Sequence, residues 1–154
     1  IDLDDFSKLT IESTSILGQG TGGVWQIRLF DNSQIEMTDG QVNLLSINND
    51  ATATLSGGLI REIYSYQYTE YWDNDNQVWV QTPHITIIYS GDLPTYNDTT
   101  NVLSGLWGTG DPFSIHLVDV QGYDPAIENI RFELIPEPTT LILLGLGGLL
   151  IRRK

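Results

Sequence analysis

Between residues 22 and 65 the apolar positions return every eighteen residues. Gly22, Gly40 and Gly58 punctuate the pattern, and two residues after each stands an aliphatic side chain: Val24, Val42 and Ile60. Three further come Ile27, Leu45 and Ile63, then Leu29 and Ile47, with the pattern lapsing at Ser65. Ahead of the second and third glycines, Ile35 and Met37 match Ala53 and Leu55. Within each segment, apolar and polar residues alternate as half-buried strands require. A fixed short period with glycine at a turn predicts stacked β coils. One such coil cannot bury its own apolar side chains, but neighbours about 4.8 Å apart line them into ladders. A meander with hairpins of equal length would give the same spacing. Before the repeat, residues 1–21 are polar and mixed, with Leu9-Thr10-Ile11 as a short strand and Gly18 to Gly23 as a loose turn.

After Ile63 the repeat gives way to aromatics. Tyr64, Tyr66, Tyr68, Glu70 and Trp72 would occupy one face of an extended strand. An Asp/Asn turn follows at residues 73–76, and Val78-Trp79-Val80 alternates back towards Ile85, Ile87 and Ile88, predicting a β-hairpin over 64–90. Tyr and Trp stabilise such a hairpin by cross-strand pairing. The row Tyr64, Tyr66, Tyr68 and Trp72, with Trp79, is also a candidate platform for the apolar faces of sugar rings. Asp73 and Asp75 lack the glycine and bidentate glutamate of a calcium loop, so turn chemistry accounts for them. Residues 91–135 return to strands at 102–107, 113–120 and 127–134, read as an antiparallel sheet capping the coils. The fold class expected is all-β: a short β-solenoid with 18-residue coils over 22–65, an inserted aromatic hairpin and an antiparallel capping sheet. The repeat resembles the glycine-punctuated solenoids of bacterial surface proteins, a likeness that implies no chemistry.

The chain ends on a different pattern. Pro136-Glu137-Pro138 is rigid and extended, since two prolines fix φ and remove two donors. An uncharged run from Thr139 to Ile151 follows, and Arg152, Arg153 and Lys154 close it. Thirteen residues at about 1.5 Å each give a helix of roughly 20 Å, short of a hydrocarbon core of about 30 Å, so the expected C-terminal hydrophobic helix suits a temporary anchor. The cations hold it on the cytoplasmic side.

This order resembles the PEP-CTERM sorting signal of Gram-negative bacteria. The resemblance covers residues 136–154 and divides the chain into an exported body, 1–135, and a sorting tail. It implies export, transient retention in the inner membrane, and cleavage near the Pro-Glu-Pro by a membrane protease-transpeptidase, an exosortase. The body then reaches the cell surface or the medium, typically in bacteria that make exopolysaccharide. Pro136, Glu137 and Pro138 take the recognition role, and Arg152, Arg153 and Lys154 the retention role. A signal peptide upstream of Ile1 is expected, because such a tail works only after export.

Charge narrows the partners. The chain carries a formal net charge of −13; without residues 136–154 the body holds 4 Lys and Arg against 19 Asp and Glu, or −15. Nucleic acid and anionic membrane faces are therefore excluded as partners of the body. With no cysteine and only His84 and His116, Ser-His-Asp and Cys-His sets have little to draw on. No phosphate loop, G-x-S-x-G elbow or H-E-x-x-H occurs. A polysaccharide-active β-helix would stack carboxylates from successive coils. Here the positions matching Glu36 are Thr54 and Gly18, and those matching Glu62 are Leu44 and Gln26. The expectation is a non-catalytic body without cofactor or metal, structural or adhesive and linked to exopolysaccharide, with both histidines as ordinary surface or strand residues. The alternative is a secreted carbohydrate-binding module or a polysaccharide-active enzyme.

Overall fold

The computed structural model describes residues 1–12, 23–66, 69–73, 78–119 and 126–135, with the backbone alone given between 66 and 82. The strands are β1 (Asp2–Leu3), β2 (Lys8–Ile11), β3 (Val24–Leu29), β4 (Gln34–Met37), β5 (Gln41–Asn48), β6 (Thr52–Leu55) and β7 (Leu59–Tyr66). They continue as β8 (Thr69–Asp73), β9 (Val78–Thr82), β10 (Ile85–Tyr89), β11 (Thr95–Asn97), β12 (Val102–Leu106), β13 (Pro112–Leu117) and β14 (Ile130–Leu134). A single helical turn, Ala126–Asn129, precedes β14. The described fold is all-β. One sheet of seven strands runs β1-β3-β5-β7-β13-β12-β11, a second of five runs β14-β10-β6-β4-β2, and β8 and β9 form a two-stranded ribbon of their own.

From β1 to β7 the chain crosses between the two large sheets at every strand, so each sheet grows by parallel pairing. Val24 pairs with Val42 and Val42 with Ile60, the same eighteen-residue offset that separates Asn49 from Asp31. The inward columns are aliphatic: Ile27, Leu45, Ile63 and Leu117 in the first sheet, and Ile35, Ala53, Ile85 and Ile130 in the second. All eight are buried in one core. Burying two inner faces against each other is what makes the alternating pattern pay off in stability. Val42 is fully buried between its two column neighbours. Val42→Ala should lower the unfolding free energy by about 1–3 kcal/mol through lost burial and a residual void, measurable as a shift of the urea midpoint.

The corners repeat as well. Amides of Ser7, Ser33 and Ala51 donate to the carbonyls of Asp4, Phe30 and Asn48. The second residue of each turn is left-handed: Asp5, Asp31 and Asn49, with φ of 54–55°. Asp and Asn tolerate that region better than other side chains with a Cβ. At the opposite corners Gly40 and Gly58 take φ of 98° and 90°, where a Cβ is strained. The Leu59 amide donates to the Gly40 carbonyl at 2.8 Å, tying one corner to the next. Trp107 continues this column by other means: its indole Nε1 donates to the Gly58 carbonyl at 2.9 Å.

Four expectations are corrected. The paired strands begin before Gly22: β1 lies on β3 and β2 on β4, so Thr10, not Gly18, stands beside Glu36. The first circuit carries extra residues that an eighteen-residue count overruns. The antiparallel hairpin comprises only β8 and β9. Tyr64 and Tyr66 belong to β7, which pairs parallel with β5, and Ile85 to Tyr89 form β10, parallel with β6. Residues 91–135 do not make one antiparallel cap. β11, β12 and β13 pair antiparallel, but β13 runs parallel to β7 and β14 joins the other sheet parallel to β10. A run of alternating residues carries no information on its partner, so strand direction was not fixed by pattern. Finally, His84 is buried rather than at the surface, its ring Nδ1 facing the Ala51 carbonyl at 3.0 Å. The predicted C-terminal helix lies outside the described residues. Among those described, no helix is long and apolar enough to cross a membrane.

The lapse at Ser65 has a physical reason. Its buried hydroxyl accepts a hydrogen bond from Asn129 Nδ2, so a polar group replaces the aliphatic one where the turn before β14 packs against β7.

Candidate functional site

The outer face of the first sheet carries the richest group of side chains. Its strands do not alternate strictly. Pairing steps from Val24, Val42 and Ile60 to Gln26, Leu44 and Glu62, and the inward positions Val24 and Ile27 are three residues apart. The backbone therefore bends at the residue between, in three strands at the same level, and Trp25, Asn43 and Arg61 stand together at the bend. Trp25 is 76% exposed. Arg61 Nη1 donates to Asn43 Oδ1 at 3.4 Å. With Gly23, Val24 and Gln41 they line an open recess of about 390 Å³. A Cβ added at Gly23 would lie 2.7 Å from Gln41 Cγ, so only glycine lets the Gln41 side chain lie against that edge.

Beside the bend, outward columns run across the same sheet. Gln26, Leu44, Glu62 and His116 form one, and Arg28, Ser46 and Tyr64 the next. His116 is exposed on β13, while His84 is buried just ahead of β10 in the other sheet. Among the described residues no three His, Asp or Glu side chains are grouped to hold a metal ion. A second recess, beside β11 and β12, is lined by Tyr96, Asp98, Thr99 and Ser104. Burial, then the charges of Asp119 and Asp98, raise the Tyr96 phenol above its ordinary value, and its hydroxyl donates to Asn101 Oδ1 at 2.9 Å. That recess is lined by a carboxylate, Asp98, and by no cation among the described residues.

The aromatic row is divided. Tyr64 lies half-buried in β7 opposite Ser46, and Tyr66 ends that strand opposite Asn48. Trp72 and Trp79 are register partners in the separate ribbon of β8 and β9, and Tyr68 falls outside the described residues. The five were expected on one strand and its return; the four that are described occupy two sheets. Pro136, Glu137, Pro138, Arg152, Arg153 and Lys154 also lie outside the described residues. Trp25 was missed, although the eighteen-residue register sets it in line with Asn43 and Arg61 and thereby signals a mixed aromatic and polar column.

Comparison with known proteins adds one result for the tail. Residues 134–154 match the family model for the PEP-CTERM protein-sorting motif. Neither a curated protein nor a solved structure matches the chain. The motif marks a protein that is exported, recognised by an exosortase at the membrane and directed to the cell surface.

Proposed function

We propose that this chain, sorted by its PEP-CTERM tail, supplies a non-catalytic structural or adhesive component of the cell surface or extracellular matrix, associated with exopolysaccharide. In this reading the exosortase recognises Pro136-Glu137-Pro138, Arg152, Arg153 and Lys154 hold the apolar run in the inner membrane, and cleavage near the Pro-Glu-Pro frees the body. The body is a short β-solenoid whose circuits are parallel, laterally bonded and filled with aliphatic columns. The observation that carries the reading is the sorting motif at residues 134–154, placed after a body whose strands end at Leu134. The order puts a cuttable segment directly behind a packed unit.

Mass spectrometry of the mature protein from its native host tests it. Nearly all molecules should lack residues 141–154, and their new C-terminus should lie at or near Pro136-Glu137-Pro138. Recovery of Lys154 on the bulk of the surface protein would reject the reading.

A further inference from the structure

We propose that the recess around Trp25 and Arg61 is a binding subsite for a carboxylate-bearing sugar, a uronic acid residue within an otherwise mostly neutral polysaccharide. Four cations serve residues 1–135, and three are committed to carboxylates. Lys8 pairs with Glu36 at 3.1 Å, Arg28 with Asp2 at 2.8 Å, and Arg131 with Glu133. Arg61 is the fourth. Among the described residues it makes no ion pair and bonds the neutral Asn43 at a long 3.4 Å. In a body of charge −15, a guanidinium with no carboxylate partner among the described residues can take an anion from outside.

The neighbours of Arg61 select which anion. Trp25 presents its indole to solvent, and such a flat apolar surface matches the C–H face of a pyranose ring. Asn43 and Gln41 offer amides for ring hydroxyls, and the planar guanidinium suits a carboxylate in bidentate geometry. The recess of about 390 Å³ lies within the range of about 300–1,000 Å³ usual for small-ligand sites. The arrangement is held by the fold, because the three side chains project from bends at one level of a hydrogen-bonded sheet. Net charge restricts the ligand further. A densely charged polyanion is repelled by the body as a whole, whereas spaced uronates meet Arg61 within a screening length of about 8 Å at physiological salt. An acidic peptide would satisfy Arg61 and leave the Trp25 face unused.

This proposal rests on the exopolysaccharide association above but is tested apart from it. The full chain, kept in mild detergent, is titrated with a neutral oligosaccharide carrying one glucuronate, with the methyl ester of that glucuronate and with an otherwise neutral peptide carrying one glutamate, following chemical-shift changes of the indole and guanidinium groups. The acid form should bind at least five-fold more tightly than the ester. Arg61→Gln should bring the two to equal affinity, and Trp25→Ala should abolish binding of both, with thermal unfolding unchanged because both side chains lie outside the core. Equal affinity of acid and ester for the wild type, unchanged binding by either variant, peptide binding as tight as the uronate, or no binding would each overturn the proposal. Loss of sugar binding leaves tail processing as it stands, and an intact Lys154 in the host leaves this titration unaffected.

Discussion

Replacing Trp107 by alanine is expected to lower the stability of the body by about 3–5 kcal/mol, the range for deleting a buried aromatic side chain. Trp107 is 1% exposed and, among the described residues, the largest of the fully buried side chains. Its ring lies 4.3 Å from that of Phe113, centroid to centroid. Its indole N–H also closes the Gly58 carbonyl, as the Leu59 amide closes that of Gly40 one corner before. Alanine removes all three contributions. Phenylalanine separates them, because it retains much of the packing and orphans the carbonyl, at about 1–3 kcal/mol. Urea unfolding followed by far-ultraviolet circular dichroism reads both, with alanine well below phenylalanine. Equal midpoints for the two variants would mean that the hydrogen bond outweighs the volume.

A second large effect is expected at Gly57. Its backbone φ is ordinary, yet a Cβ built there would lie 2.0 Å from the carbonyl oxygen of Thr38. The obstacle is backbone held in the corner of the preceding circuit, so no side-chain rotation relieves it. Gly57→Ala must push two circuits apart or bend the corner, and should cost about 2–4 kcal/mol by overpacking and lost pairing. Gly110→Ala is the matched control. Gly110 has φ of 90° and nothing within 4 Å of its missing Cβ, so only left-handed strain of about 1–2 kcal/mol applies. The difference between the two midpoints measures the close approach of neighbouring circuits.

The inner columns were legible in the sequence because burial writes itself at fixed spacing. Val24, Val42 and Ile60 recur every eighteen residues since each must fill the same level of the core. The outer circuits were harder to read, for two reasons. Residues added between β2 and β3 move the partner of Glu36 to Thr10, and no local pattern announces how many residues a corner holds. Ile85 and Ile130 are neighbours in one column, but the residues between them contain three strands of the other sheet. The Trp25 column was obscured by the bend itself. Strict alternation has no place for outward residues beside an irregularity, so Trp25, Asn43 and Arg61 read as interruptions between apolar positions. The tail needed no fold at all, because its rigid, apolar and basic parts are consecutive.

The ribbon of β8 and β9 enters between β7 and β10, yet β10 still lies in register on β6, with Ile85 beside Ala53. An isolated two-stranded ribbon is marginally stable in water, so it can open and close below the free energy of global unfolding. The corner it occupies therefore behaves as an exchangeable cassette. Its length can change while the aliphatic columns keep their partners, so surface properties can be altered without renegotiating the core.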